Sequence, residues 1–389
     1  MTSRARASPI PAPCATRCCW PPAWRRAASP PDRPQPRREG PERVRAFQPE
    51  ETRMRVLPTL TLAFSLGAAS LAATAPRPAL AAWEPNRPVE FVVTSGAGGG
   101  TDLFARTIQA AIQKHELLNV PVVVTNKGGG SGAEGFVYGR GSQGDPLKVI
   151  FGTNNEWLLP YVARVAWKPE QLVPVAAMAF DEFMLWVKAD APYKTAADYI
   201  AAAREKPGAM KMGGSQTKDT DQILTLKIQK ATGVRFTYIP FRGGGEAGVQ
   251  LAGGHVDSDV NNPSESVGGW RGDQVRPLCV FRKEPLPATG KVTGTQSWAD
   301  IPTCASQGIA VDEYRMPRTV FLPPEVSKEA QEFWTDVMRK VTETPEWKDY
   351  IARTVQSAVF MTPDQMKPLM EEEQKSGKEM FAAEKWLVN

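Results

Sequence analysis

Three segments of the chain combine glycine with small hydroxyl side chains in a way suited to holding an anion. They are Ser95-Gly96-Ala97-Gly98-Gly99-Gly100-Thr101-Asp102, Asn126-Lys127-Gly128-Gly129-Gly130-Ser131-Gly132 and Phe241-Arg242-Gly243-Gly244-Gly245-Glu246. Each follows a short apolar run that reads as a strand, and the first two lie between a strand and a helix. The first N–H groups of a helix have no partner inside it and lie at the positive end of its dipole, so a carboxylate is favoured there. Glycine matters because a Cβ would hold the ligand away from those donors. Any one such loop reads equally well as a tight turn. Three of them at strand carboxyl ends favour a site, because open α/β sheets bind ligands there.

Other chemistries fail on detail. A Gly-x-Gly-x-x-Gly fingerprint starting at Gly96 meets Thr101 where glycine is required, and one starting at Gly98 meets Leu103. No P-loop pattern occurs. Ser131 and Ser215 follow Gly129 and Gly213 by two residues but precede Ala133 and Thr217, so neither forms a nucleophile elbow. His115, in a Lys-His-Glu helix end, reads as a solvated side chain, and His255, in Gly-Gly-His-Val-Asp, as a turn residue. Two histidines leave little for a zinc cluster, and no pair of aspartates has a spacing that demands acid–base work. The residues therefore point to binding, with no catalytic residue, metal or cofactor expected.

The N-terminal part of the chain has a different character. Residues 1–53 hold 11 Arg, no Lys and 11 Pro, a composition that cannot bury enough apolar surface to fold. Met54-Arg55-Val56-Leu57, an apolar stretch through Leu71 and Ala79-Leu80-Ala81 then supply the basic, apolar and small-residue parts of a secretory signal peptide. Such a peptide is read at an N-terminus. Met54 is accordingly the expected start, with 54–81 the signal peptide, cleavage after Ala81, and 1–53 an over-extended reading frame or disordered segment. The alternative is a genuine arginine-rich extension. Residues 1–81 carry 13 basic and 5 acidic residues, which leaves 34 and 37 for residues 82–389. The overall formal charge of +5 thus hides a slightly acidic remainder, and nothing there argues for nucleic-acid binding. Cys279 and Cys304 remain, 25 residues apart, and in an oxidising compartment they are either a disulfide or two buried thiols.

The elements that must position the loops alternate between strand and helix, as in an α/β fold with largely parallel sheets. Expected strands are Val89–Thr94, Val122–Thr125, Leu147–Phe151 and Phe183–Val187, then Met210–Met212, Phe236–Ile239, Val256–Val260, Arg276–Phe281 and Arg318–Leu322. A helix opens near Thr101, a second at Thr195 with Asp198 in a capping-box spacing, and a third spans Thr220–Ala231. Ala330, Phe333, Trp334, Val337, Met338 and Val341 mark one face of another. Thr362-Pro363 starts the last, with Met366, Leu369 and Met370 inward. Two such series without a Pro- or Ser-rich linker suggest two lobes joined by chain that crosses more than once: 82–184 and 311–389 in one lobe, 185–310 in the other.

The order of the motifs resembles one family. Trp83-Glu84-Pro85-Asn86-Arg87-Pro88-Val89 leading to Gly98-Gly99-Gly100-Thr101-Asp102, Asn126-Lys127, Lys194-Thr195, Thr232-Gly233-Val234, Pro240-Phe241-Arg242-Gly243-Gly244, Gly253-Gly254-His255-Val256-Asp257 and Ile301-Pro302-Thr303 are similar to the tripartite tricarboxylate transporter solute-binding proteins, the Bug-like family. The triple glycines resemble the branch that handles citrate-like acids more than the amino-acid binders, while Val93-Thr94-Ser95-Gly96 lacks the proline common in relatives. The resemblance implies a two-lobed periplasmic-binding-protein fold, a Venus flytrap with its ligand cleft between the lobes. It implies a monomer that captures a small carboxylate, possesses no enzymatic activity and delivers its ligand to a two-component membrane permease. A sensor that presents the ligand to a signalling partner is the runner-up, and a secreted enzyme acting on carboxylates the reading from another class.

By the same resemblance, one lobe clamps the ligand through Ser95, Ala97, Gly98, Gly99, Gly100, Thr101, Asp102, Gly129, Gly130, Ser131 and Asn154. The other contributes Ser215, Gln216, Thr217, Arg242, Gly243, Gly244 and Asn261 or its neighbour Asn262. Asp102 either orders a water or caps its helix. Arg242 either pairs with a second carboxylate or forms a surface ion pair with Glu246, four residues on. Lys127 is expected to be structural.

Overall fold

The computed structural model describes residues 83–288 and 290–388. The expected signal peptide and the arginine-rich segment before it lie outside the described residues. Val89-Glu90-Phe91-Val92-Val93 forms β1 (Val89–Val93), buried on both faces as a central strand should be. It leads through the first glycine loop into α1 (Gly100–Lys114), then β2 (Val122–Asn126), α2 (Ala133–Gly141), β3 (Lys148–Gly152), the short α3 (Asn155–Leu158) and β4 (Val173–Glu182). A second series contains β5 (Met184–Lys188), α4 (Ala196–Glu205), β6 (Lys211–Ser215), α5 (Thr220–Thr232), β7 (Thr237–Phe241), α6 (Gly244–Ala252), β8 (Ser258–Asn261), α7 (Pro263–Arg271) and β9 (Val275–Val280). The chain then forms β10 (Arg315–Leu322), α8 (Lys328–Glu343), α9 (Pro345–Thr354), β11 (Ser357–Met361) and α10 (Pro363–Ala383).

Two sheets result, one per lobe. The first runs β11-β4-β10-β3-β1-β2 and the second β7-β6-β8-β5-β9. The chain leaves the first sheet at Phe183, the single residue between β4 and β5, and returns between β9 and β10. Largely parallel sheets were expected, but among the described residues four of the nine strand pairings are parallel and five antiparallel. β1 pairs in parallel with β2 and β3, and β6 with β7 and β8. The strands beside the two crossings, β4, β5, β9 and β10, pair antiparallel. A strand that carries chain between lobes has no crossover helix to bring it back in the same sense, so its direction follows from the crossing.

Local chemistry accounts for the helix ends. Asp198 N–H donates to Thr195 Oγ1 at 3.1 Å while Thr195 N–H donates to Asp198 Oδ2 at 3.0 Å, which closes the capping box of α4. Thr362 and Gln365 make the same arrangement at α10, with Pro363 in its first turn. The inner face of α8 buries Ala330, Trp334, Val337, Met338 and Val341 against the first sheet, with Phe333 packed at its margin. Pro240 sits in the edge strand β7, where a missing N–H leaves no gap in the ladder. Among the described residues no helix is long and apolar enough to cross a membrane.

Cys279 of β9 and Cys304 are joined as a disulfide, with Cα atoms 4.9 Å apart and both residues fully buried. The bridge ties the loop after β9 to the core of the second lobe. Closing a loop of 25 residues limits the unfolded chain, an effect of about 3 kcal/mol. The Cys279→Ala/Cys304→Ala variant is therefore expected to unfold at a clearly lower urea midpoint than the oxidised protein, and an unchanged midpoint would show that the bridge contributes nothing.

Candidate functional site

A cavity of about 370 Å³ lies between the lobes and collects the carboxyl ends of strands from both sheets. From the first lobe it receives the β1–α1 loop. Thr94 Oγ1 donates to Phe151 O at 2.9 Å, which holds the end of β1 against β3. The chain then turns through Ser95–Gly99 into α1, whose N-cap, Gly99, offers no side chain to cap it. The first bond of this helix is Leu103 N–H to Gly99 O at 3.0 Å. The N–H groups of Gly100, Thr101 and Asp102 therefore have no partner among the described residues. The second lobe supplies the same feature at α6. Gly243 caps it without a side chain, its first bond is Ala247 N–H to Gly243 O, and the N–H groups of Gly244, Gly245 and Glu246 have no partner among the described residues. Two uncapped helix N-termini, one from each lobe, thus open on one cavity.

The residues expected to bind divide into those that line this cavity and those that support it. Ser95, Ala97, Gly98, Gly99, Gly100, Thr101, Ser131, Ser215, Gln216, Arg242, Gly243 and Gly244 line it. Asp102, Gly129, Gly130, Asn154, Thr217 and Asn261 are not on its wall. Asp102 turns back instead, accepting from Gly98 N–H at 2.9 Å, from Arg106 Nε at 2.9 Å and from Asn126 Nδ2 at 2.9 Å. Burial pushes its carboxyl pKa up, but these donors outweigh burial and hold it below the ordinary aspartate value. It is a strut for the loop and does not cap α1, whose first N–H groups it leaves free. Asn261 Nδ2 donates to Gly244 O at 2.8 Å and to Ser266 Oγ at 3.2 Å, so it fixes the start of α6 from below. Asn154 Nδ2 donates to Glu373 of α10 at 3.0 Å, and its neighbour Asn155 takes the place on the cavity wall. Gly129 packs against the Glu134 side chain. Thr217 presents its carbonyl to Ser131 Oγ across the cleft at 3.5 Å, at the outer limit of a hydrogen bond.

Arg242 forms no ion pair among the described residues. Its backbone N–H donates to Glu246 Oε2 at 3.1 Å, and its guanidinium lies exposed on the cavity wall. Lys127 is structural, with Nζ 3.8 Å from Glu134 Oε1 and 4.5 Å from the Tyr138 ring centre. His115 is exposed, as expected, and its Nε2 lies 2.8 Å from Glu346 Oε2, beside Lys114, because α9 brings that carboxylate to the end of α1. His255 is an exposed turn residue.

Sequence reasoning missed the charged floor of the cavity. Arg318, in β10, is only 4% exposed. Its Nη1 donates to Thr101 Oγ1 at 2.8 Å, its Nη2 is ion-paired with Asp181 at the end of β4, and its Nε has no partner among the described residues. Burial alone would lower the guanidinium pKa, but Asp181 more than offsets it and keeps Arg318 charged. A Cβ at Gly100 would run into this guanidinium, so glycine is required there for packing as well as for ligand access. An arginine inside the otherwise apolar run Met316-Pro317-Arg318-Thr319-Val320 was the available signal.

Three carboxyl groups were missed on the opposite wall. Asp219 caps α5 by accepting from Thr220 N–H at 2.6 Å, and Asp221 accepts from Ser215 N–H at 2.6 Å. Burial raises both, opposed by those hydrogen bonds, and Asp219 pushes Asp221 further up. Glu265, in the first turn of α7, makes no side-chain hydrogen bond to any described residue, and burial pushes it up to about 7. Gln216 adds strain to the same wall. Its φ is 46°, a left-handed value rare outside glycine, and its Oε1 is buried without a donor.

The Arg318–Asp181 pair yields a direct test. Removing one partner strands a buried charge, which costs roughly 3–5 kcal/mol, whereas replacing both removes the penalty. Arg318→Met should lower unfolding stability by that amount, and Arg318→Met/Asp181→Leu should recover most of it in the same denaturant titration. Additive losses in the double variant would show that the two groups do not act as a pair.

Comparison with known proteins agrees with this geometry. A model of the tripartite tricarboxylate transporter family receptor matches residues 104–384. A UPF0065 protein of Cupriavidus necator is 26% identical over 282 residues, which cover 72% of this chain and 82% of its own length. MatC of Rhodopseudomonas palustris, solved with bound malate, superposes with a TM-score of 0.67 at 19% identity and covers 76% of this chain and 99% of its own. A second Rhodopseudomonas palustris protein, solved with adipate, gives 0.68 at 24% identity over 77% and 97%. The family model spans well over half of the chain and both lobes, and the chain belongs to the tripartite tricarboxylate transporter family of receptors.

Proposed function

We propose that the protein is a periplasmic solute-binding receptor that captures a small dicarboxylate and hands it to a membrane permease without altering it. The observation that carries this reading is the pair of uncapped helix N-termini, α1 from one lobe and α6 from the other, facing a single cavity. A dicarboxylate placed between them satisfies N–H groups in both lobes at once, and each dipole favours the negative charge. The malate and adipate held by proteins of the same fold support the ligand class. A volume of about 370 Å³ lies at the small end of ligand sites and suits a short-chain acid.

Ligand contacts from both lobes are complete only when the lobes approach, so binding favours closure by a hinge motion at the two crossings. The acid that binds need only be held, and the site residues act as Ser95, Ser131, Ser215 and Gln216 around the backbone donors, with Arg242 over the cleft mouth. Secretion through the expected signal peptide puts the receptor in the periplasm as a monomer, where a two-component permease receives the ligand.

Purified protein lacking residues 1–81 should melt several degrees higher with malate or adipate at about 100 times the dissociation constant, equivalent to roughly 2.7 kcal/mol. Neutral sugars should leave the melting temperature unchanged. Gly244→Ala, whose Cβ would meet Glu265 and Asn261 at the start of α6, should weaken binding at least about tenfold. Indifference to every carboxylate, or conversion of a bound acid to product, would contradict the reading.

A further inference from the structure

Carboxyl groups outnumber cations on the cavity wall. Asp219, Asp221, Glu246 and Glu265 face it, against Arg242 and Arg318. For a site that takes an anion this requires an explanation, and Glu265 is where it is sharpest. Asp219 and Asp221 are occupied with N–H groups of their own lobe, and Glu246 accepts from Arg242 N–H. Glu265 has no such partner among the described residues. It lies half-buried on the wall beside the unpartnered N-terminus of α6, close enough that a Cβ at Gly244 would strike its Oε2. An anion seated on that N-terminus therefore meets the Glu265 carboxyl. Two ionised carboxylates in such contact, away from water, repel strongly, and pairs of this kind hold one proton between them.

We propose that Glu265 is a ligand-contacting residue that enters the complex protonated, so that the receptor captures one proton together with each dicarboxylate anion. The Glu265 O–H donates to a ligand carboxylate oxygen, and the proton comes from solvent; no other bond changes. This inference rests on the dicarboxylate reading of the same site.

The surroundings fit that role. The charges near Glu265 are Arg318 of β10, which lowers its proton affinity, and Asp181 of β4, which raises it. Asp259 of β8 and Asp221 of α5 are both pushed up by it in turn, and Arg242 and Glu246 stand at the start of α6. On the far side of α7, β9 carries Arg276, and α9 carries Glu346, Lys348, Asp349 and Arg353. Arg276 is bonded to the carbonyls of Ala189, Ala191 and Tyr193, and Arg353 to Asp349. Burial sets the Glu265 carboxyl at about 7 in the free protein. A bound anion disfavours its charged form and pushes it higher. Affinity is then flat below about pH 7 and falls as pH rises above it, up to about tenfold per unit until the bound-state value is reached.

The experiment titrates the protein with malate and with adipate by calorimetry at about pH 6.5 and pH 8.5, in buffers of different ionisation heat. The expected result is binding at least about tenfold weaker at the higher pH, with close to one proton taken up per ligand there. In Glu265→Gln, whose amide still donates, the affinity should lose this pH dependence and remain strong at pH 8.5. Equal affinity at both pH values without proton uptake would overturn the proposal while leaving the receptor reading intact. So would full pH dependence in a folded Glu265→Gln. Proton uptake in the unaltered protein decides the matter if the variant does not fold. No binding of any carboxylate at either pH would overturn the receptor reading itself, along with this one.

Discussion

Among the described residues the N–H groups that open α1 and α6 have no acceptor, and much of the cavity is arranged around that fact. A helix start left without a cap in a partly closed cleft is unfavourable unless something negative arrives. The supports around both starts make the same point. Asp102, Arg106 and Asn126 brace the first loop from behind, and Asn261 braces the second by bonding Gly244 O. Asp102, Asn126 and Asn261 carry oxygens that could cap a helix start but serve loop geometry instead, which leaves the N–H groups facing the cavity. The two-sheet architecture then has a simple purpose: it carries one such helix start in each lobe and joins the lobes at only two crossings.

The crossings also explain the mixed sheets. β4 passes directly into β5 at Phe183, and β10 returns alongside β4. Arg318 and Asp181 lie on those two strands, near where they leave the first lobe, so the buried ion pair binds the crossing strands to each other and to Thr101 at the start of α1. A charge pair buried so deeply adds little net stability, since desolvation opposes its attraction. Its value here is positional: it sets the floor of the cavity at the first helix start and keeps one positive charge where an anion arrives.

Much of the framework was legible because it rests on local chemistry. Alternating apolar runs located most strands, the Thr195–Asp198 spacing located a capping box, and glycines at strand ends located both loops and the start of α1, though not α6. β4 was missed because Val173–Glu182 is rich in alanine, which favours helix over strand, and it lacks a turn signal at its end where it runs straight into β5. β11 and α9 were missed because they are short and take their identity from packing on the first lobe. Within the site, backbone donors could be read from glycine positions, whereas Arg318, Asp181, Glu265 and Asp219 come together only through the two crossings. No spacing along the chain relates residues 181, 265 and 318. Asn154 illustrates the resolution of such reading: the correct side chain on the wall is its neighbour, because a one-residue step at the start of α3 turns Asn154 toward Glu373.

The central claim is that both helix starts hold the same ligand. Labelling the protein with nitrogen-15 glycine and titrating it with malate or adipate reads this directly, because the amides of Gly100, Gly244 and Gly245 are the unpartnered donors. The account predicts that all three shift downfield along one binding curve, as new hydrogen bonds form in both lobes at once. Shifts confined to Gly100 or to Gly244 and Gly245 alone, or arising only at glycines away from the cavity, would contradict it.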